Sequence, residues 1–217
     1  MEAAAIPHEH HGPPPAHHSS RVEAPLLGML LFIISEVMIF GAFFTAYFFI
    51  RVVTHDAWPA HGTKVPEAVA GINTLILLVS SLTMELARRK AARQAALAPL
   101  TSIPGISLGD EKHFPWLGIT VVLGFAFLVG QGLAWGELHN RGFFLSTNPS
   151  SSFAFLLTIA HAVHLTGGMI ALLCAGSASL LHKPIEARRI AVDITAWYWH
   201  FMAVLWIYIF ALLGFAR

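Results

Sequence analysis

Four ionisable residues lie within strongly apolar stretches of the sequence and could bind a metal ion or move a proton. Glu36 is surrounded by aliphatic and aromatic residues, His161 and His164 lie three residues apart in a later stretch, and His200 follows three aromatic residues in the last one. An ionisable side chain inside a membrane is costly unless it faces protein or water. These four positions are therefore the first candidates for chemistry.

The three histidines have two interpretations. Residues three apart share a helix face, so His161 and His164 could ligate haem or a metal ion together with His200. Such a site needs further donors and supporting hydrogen bonds, and a haem between helices needs histidines at matched depth. The alternative, which we favour, is that they are hydrogen-bonded core residues. Glu36 is either a proton-exchanging or lipid-contacting acid, or a neutral carboxylic acid bonded to a neighbouring helix.

The composition is that of an integral membrane protein. Of 217 residues, 56% are hydrophobic and only 12% are charged, and the mean hydropathy is +0.65. A soluble domain carries about 25% charged residues. The net charge of +1 gives no reason to expect nucleic acid as a partner. The single cysteine, Cys174, cannot form an internal disulfide and is interpreted as a packing residue.

Five apolar spans are each long enough to cross a bilayer, which takes roughly 20 helical residues. Because only helices or closed barrels satisfy their backbone in lipid, the sequence predicts an all-α membrane bundle. Residues 25–217 form this five-helix domain, and residues 1–24, rich in proline and histidine, form a disordered tail without a signal peptide. The predicted spans cover approximately residues 26–50, 69–87, 116–136, 153–181 and 190–215.

The tail and the connecting loops give the orientation. Nine lysine and arginine residues fall on the side of the tail and four on the opposite side. By the positive-inside rule, the N-terminus is predicted to be cytoplasmic and the C-terminus periplasmic. The histidines of the tail, among them His10 and His11, could also capture a divalent metal weakly.

Polar and small residues within the helices suggest how the helices pack. Asn73 and several hydroxyl residues of the second helix are interpreted as interhelical hydrogen-bonding groups. Glu85 lies one turn from Arg88 and Arg89, which predicts that it extends toward the cytoplasmic surface. The Gly132–Gly136 pair, and a stripe of small residues beginning at Gly167, predict close helix contacts.

Four motifs in the expected order resemble subunit III of the haem–copper oxygen reductases, the cytochrome c and quinol oxidase family. The glutamate-bearing segment is Leu31–Phe40, and Asn73–Thr74 opens the next one. His161–Gly168 resembles the family's H-x-x-H-x-x-x-G segment, and Trp197–Phe201 its terminal aromatic motif. The resemblance covers about residues 24–215. Five helices rather than seven resemble the short bacterial form.

The resemblance implies an accessory, non-catalytic subunit of a terminal oxidase in aerobic respiratory electron transport, in the bacterial inner membrane. Such a subunit packs on subunit I, near subunit II and a small subunit IV, binds phospholipid, and supports proton uptake and sustained turnover. Haem and copper are expected in the partner subunits and none in this chain. Glu36 would be the family's carbodiimide-reactive carboxyl. The buried polar core would comprise Asn73, Gln131, His161, His164, Tyr198 and His200.

The sequence departs from the family at two positions. Ala134 replaces a glutamate in the third helix, and Ala203 replaces an aspartate three residues after His200. We hypothesise that both acids belonged to one buried network with the histidines, since losing both members of such a set can be nearly neutral. Three alternatives remain open: a subunit III-like protein of a nitric oxide reductase system, a haem-binding membrane cytochrome, and a small transporter.

Overall fold

The computed structural model describes residues 20–54, 67–98, 116–140, 149–180 and 184–215, and in this part of the chain the secondary structure is helical. Five long helices follow one another in order. Their bounds are α1 Ser20–Thr54, α2 Glu67–Leu97, α3 Trp116–Asn140, α4 Pro149–Leu180 and α5 Ile185–Phe215. Each is long and apolar enough to cross a membrane, so the predicted all-α class and the five spans are confirmed.

The helices extend past the predicted spans at several ends. Helix α2 continues ten residues beyond Ala87 through a segment of arginine, lysine, glutamine and alanine. These residues all favour helix, and the arginine, lysine and glutamine side chains are polar, which is why the predicted span ended earlier. Helix α1 includes residues 20–24 of the predicted tail and contains Pro25. The rest of that tail, with its histidines, lies outside the described residues.

Helix α5 forms the centre of the bundle. It packs against α1, α2 and α4, while α2 also packs against α3, and α4 against α1 and α3. Accordingly, 50% of the residues in the apolar stretch of α5 are buried, compared with 11% in that of α1. The core is built around Trp199, with Met202, Trp206 and Ile209 along the same side of α5. Helix α1 therefore lies at the edge, with most of its surface left for lipid or partner subunits.

The small residues that permit close helix contacts differ from those predicted. A Cβ added at Gly132, Gly136 or Gly167 would meet no atom of the described residues within 4 Å, so in this part of the chain these glycines do not form helix seams. The close contacts are instead at Gly124 and Gly130, where a Cβ would collide with Met169 and Asn73 respectively, and at Gly168, where it would lie 3.0 Å from the Tyr198 ring. The spacing motif was misleading because outward-facing glycines satisfy it equally well.

Candidate functional site

Glu36 of α1 meets His164 of α4 inside the bundle. The Glu36 side chain is 5% exposed, and its Oε2 lies 2.9 Å from Nε2 of His164. The other ring nitrogen, Nδ1, lies 2.7 Å from the backbone oxygen of Ala160. The hydroxyl of Tyr198, on α5, donates to the backbone oxygen of His164 at 3.0 Å. Three helices thus meet at one carboxylate–imidazole pair.

The hydrogen bonds of His164 determine how many protons this pair holds. A backbone carbonyl can only accept, so Nδ1 carries a hydrogen and donates it to Ala160. Nε2 and the Glu36 oxygen would then repel as two acceptors at 2.9 Å unless one proton lies between them. The contact is close but poorly aligned, since Oε2 receives no well-directed hydrogen bond. The pair is either a neutral acid facing a neutral imidazole or a carboxylate facing an imidazolium.

An aromatic side chain of α1 packs against this pair. The ring of Phe40, one turn beyond Glu36, is fully buried and meets the His164 ring edge-on with centroids 5.3 Å apart. Phe32 contacts the Tyr198 ring at a centroid distance of 5.7 Å. Phe40 thus covers one side of the imidazole. The side chain of His164 nevertheless remains 25% exposed, so one edge of the site reaches the surface of the bundle.

His200 takes part in a second, separate contact between α5 and α2. Its Nδ1 lies 2.6 Å from the hydroxyl of Ser81, and its Nε2 lies 3.4 Å from Oε2 of Glu85. Glu85 also accepts two hydrogen bonds from Arg88, at 2.7 and 2.8 Å, and one from Arg89 at 2.7 Å. The Glu85 carboxylate is therefore balanced by two guanidinium groups. Side chains on a helix point toward its N-terminus, which directs His200 toward this charged end of the bundle.

The bonds to Arg88 and Arg89 agree with the prediction that Glu85 extends toward the basic end of α2, and the side of the membrane that this end faces stays a prediction. The Glu85 side chain is only 20% exposed, because the His200 ring lies beside it. The sequence did not identify the His200 neighbour, but the interpretation of the α2 hydroxyl residues as interhelical hydrogen-bonding groups is confirmed by two further bonds between α2 and α5. The indole nitrogens of Trp199 and Trp206 donate to Ser80 and Thr74, respectively, both at 3.1 Å. The sequence feature that indicates such bonds is the set of hydroxyl residues within the apolar part of α2.

His161 lies in a third environment, unlike those of His164 and His200. Its ring is completely buried between the rings of Phe127 and Trp206, at centroid distances of 6.0 and 5.0 Å. Neither ring nitrogen has a hydrogen-bond partner among the described residues. Because desolvation strongly disfavours an unpaired buried cation, the imidazole at this position is neutral. His161 is therefore a core residue with unused hydrogen-bonding capacity.

The remaining polar candidates lie on the buried sides of their helices. Asn73 is 2% exposed and donates to the backbone oxygen of Phe127 at 3.2 Å, which links α2 to α3. Gln131 is 5% exposed, on the same buried side of α3 as Phe127 and Ala134. Ala203 is 3% exposed on α5. The two positions at which the family's acids are absent are thus both in the interior.

The three histidines do not converge on a common ligand site. His161 faces aromatic rings of α3 and α5, His164 faces α1, and His200 faces α2. Within the described ranges, no group of three or more histidine, cysteine, aspartate or glutamate residues is close enough together to hold a metal ion. The interpretation of these histidines as joint ligands therefore has no geometric support in this part of the chain.

Comparison with known proteins gives one consistent result. The family model described as cytochrome c oxidase subunit III matches residues 11–215. The probable cytochrome c oxidase subunit 3 of Nocardia farcinica is 27% identical over 201 residues, which cover 93% of this chain and 92% of that protein. The subunit 3 proteins of Synechocystis sp. and Triticum aestivum are each 33% identical, covering 94% and 89% of this chain and 78% and 69% of their own lengths.

Proposed function

Because the chain belongs to the cytochrome c oxidase subunit III family, we propose that it is a non-catalytic accessory subunit of a terminal haem–copper oxidase. The observation that carries the proposal is the match over residues 11–215, nearly the whole chain. Membership of this family makes the protein a multi-pass membrane component of an oxidase complex. The finer assignments, to subunit I as direct neighbour and to subunits II and IV in the same complex, are part of the proposal.

The proposed location is the bacterial inner membrane, with the N-terminus in the cytoplasm. The distribution of basic residues supports this orientation. Arg88, Arg89, Arg188 and Arg189 lie at the same end of the bundle, since contacts of Arg88 and Arg189 with Asp193 join α2 to the start of α5. That end would face the cytoplasm.

Haem and copper are assigned to the partner subunits. In support, the histidines lie in three different environments. Nε2 of His164 contacts Glu36, and the ring nitrogens of His200 contact Ser81 and Glu85. A chain arranged in this way contributes structure and protonatable groups to the oxidase, and the reduction of oxygen takes place in its partners.

The pair formed by Glu36 and His164 is the proposed proton- and lipid-linked group of the subunit. Its single proton can reside on either partner, since a 2.9 Å contact joins the two atoms. Its exposed edge lies between α1 and α4, where lipid would reach it. Phospholipid held against α1 would keep this pair in an apolar environment and so support proton uptake and sustained turnover by the complex.

Purification of the complex through an affinity tag on this chain tests the proposal. In mild detergent, we expect haem-bearing subunit I to copurify, with the haem spectrum lost once that partner is stripped away. A Soret band that remains on the isolated chain would instead establish a haem-binding cytochrome. Partners that reduce nitric oxide rather than oxygen would assign the chain to a nitric oxide reductase system.

A further inference from the structure

Two aromatic residues of α1 lie on either side of Glu36 along one face of the helix. Phe32 precedes Glu36 by one turn and Phe40 follows it by one turn, so all three share that face. The Phe40 ring contacts the ring of His164, with centroids 5.3 Å apart. The Phe32 ring contacts the ring of Tyr198, with centroids 5.7 Å apart. Tyr198 of α5 therefore lies beside α1, one helical turn away from the contact between Glu36 and His164.

The Tyr198 hydroxyl connects α5 to the turn of α4 that carries His164. It donates to the backbone oxygen of His164 at 3.0 Å, and Tyr198 is buried. The ring can approach α4 this closely because residue 168 is a glycine. A Cβ added at Gly168 would lie 3.0 Å from one ring carbon of Tyr198 and 3.2 Å from another. The last glycine of the H-x-x-H-x-x-x-G segment thus makes room for a ring from another helix.

Few titratable groups surround the carboxyl of Glu36. His164 faces it from α4, and no lysine or arginine of the described residues pairs with it. Tyr198 of α5 lies close enough to interact with its charge. His161 is the titratable neighbour of His164 on α4. A displacement of His164 therefore changes the main polar partner of the carboxyl.

We propose that Tyr198, packed against Gly168, is a positioning residue that holds the His164 imidazole against Glu36. Nδ1 of His164 lies 2.7 Å from the backbone oxygen of Ala160, one turn earlier, and the backbone oxygen of His164 itself accepts the Tyr198 hydroxyl. The imidazole and its own peptide group are both held in place, which directs Nε2 at the carboxyl. This inference deepens the proposed function and rests on its assignment of Glu36 and His164 as the proton-linked pair.

The consequence of losing this hydroxyl is a looser contact between imidazole and carboxyl. A carboxyl in apolar surroundings that loses its polar partner stays protonated to higher pH. Tyr198 would therefore act on the protonation of Glu36 only through His164. That dependence separates a positioning residue from one that merely stabilises the bundle.

The pH profile of Glu36 labelling by an apolar carbodiimide, measured on the complete tagged complex, tests the inference. Tyr198→Phe removes the hydroxyl and keeps the ring. We expect its labelling at alkaline pH to rise about fivefold, as loss of one hydrogen bond of ordinary strength predicts. Tyr208→Phe is the matched control, since Tyr208 also contacts a phenylalanine ring of α1, at 4.5 Å, but lies about 15 Å farther along α5. It should leave the profile unchanged.

Two glycine variants test the same contact without removing the hydroxyl. Gly168→Ala adds a methyl group 3.0 Å from the Tyr198 ring, which should displace the ring and shift the profile in the same direction. Gly167→Ala should leave the profile unchanged, because a Cβ there would meet no atom of the described residues within 4 Å. In a His164→Gln background, Tyr198→Phe should no longer change the profile, since the two residues act as one unit.

An unchanged profile in Tyr198→Phe, or equal shifts in Tyr198→Phe and Tyr208→Phe, would overturn the inference and leave the proposed function intact. A shift that persists in the His164→Gln background would overturn it as well. If Tyr198→Phe does not assemble, the comparison of Gly168→Ala with Gly167→Ala decides, and equal profiles there refute the positioning role. Absence of label at Glu36 in the unmodified complex would refute the proton-linked pair itself, and the inference with it.

Discussion

The contacts Glu36–His164 and Glu85–His200 join the same two chemical groups in opposite surroundings. The first lies between α1 and α4 with aromatic neighbours, and within the described residues no lysine or arginine pairs with Glu36. The second lies between α2 and α5, and its carboxylate accepts three hydrogen bonds from Arg88 and Arg89. The carboxyl side chains are 5% and 20% exposed, respectively.

This difference shows two ways of placing an acid inside a membrane bundle. At Glu85, fixed cations balance the negative charge, so the acid stays ionised and ties α2 to the basic end of the bundle. At Glu36, no lysine or arginine of the described residues pairs with the carboxyl, and its polar neighbour is the imidazole of His164. The first acid is thus held by fixed cations, whereas the second faces a titratable group.

The sharpest difference between the two acids should be in their reaction with an apolar carbodiimide. This reagent requires a protonated carboxylic acid, which Glu36 can provide and Glu85, held by two arginines, cannot. We expect labelling at Glu36 and none at Glu85, measured by peptide mass spectrometry of labelled membranes. The Glu36→Gln variant is the control and should lose the label. Equal labelling of both acids would show that their surroundings are not distinct.

The next largest effect should come from breaking the buried pair. Glu36→Ala leaves His164 without its partner and should lower the free energy of unfolding by about 3 kcal/mol. The double variant Glu36→Leu/His164→Leu removes both polar groups and should cost less than about 1.5 kcal/mol. Unfolding of the purified protein in mixed detergent measures both. If the double variant is as unstable as the single one, the pair is not the origin of the effect.

A comparable test addresses the acids that this chain lacks. Ala203→Asp places a carboxylate at a position that is 3% exposed and should cost about 2–3 kcal/mol, because the charge would lose its hydration there. The double variant Ala134→Glu/Ala203→Asp should lose about 1 kcal/mol less if the two acids share a hydrogen-bond network with His161. The same unfolding measurement applies. Equal losses of unfolding free energy in the single and double variants would contradict an interaction between the two acids.

The smallest effects are expected at Glu85 and Arg89 of the second contact. Glu85→Gln keeps the shape but weakens the bonds to Arg88 and His200, with an expected loss of about 1–2 kcal/mol. Arg89→Ala should cost less than about 0.5 kcal/mol, since the Arg89 side chain is 73% exposed. A larger loss at Arg89 than at Glu85, in the same unfolding experiment, would mean that the guanidinium has another role.

The sequence predicted the number, order and approximate spans of the helices, because hydrophobic length is a local property. It could not predict which histidine meets which acid. His161 and His164 lie three residues apart, yet about 60° separates them around the helix axis. That angle is enough to direct one at α3 and α5 and the other at α1. Such assignments depend on the relative rotation and height of neighbouring helices, which residue spacing does not encode.

The same limit explains why the glycine motifs were misread and why the Glu85–His200 contact was missed. Gly130 and Gly168 carry no distinctive spacing, and their role is defined only by Asn73 and Tyr198 opposite them. The motif residues that the family resemblance selected are nevertheless the ones at which helices meet. Glu36, Asn73, His164 and Tyr198 each contact a helix other than their own.

The position of α1 at the edge of the bundle has a consequence for biosynthesis. Helix α1 precedes the other described helices in the chain, and its main contacts among them are with α4 and α5, so it enters the membrane before these partners exist. At a synthesis rate of 5–20 residues per second, roughly 6–25 s separate Glu36 from His164. During that interval the carboxyl has no imidazole to share its proton with and must cross into lipid in neutral form. Closure of the Glu36–His164 contact would then join α1 to α4 before α5 completes the bundle.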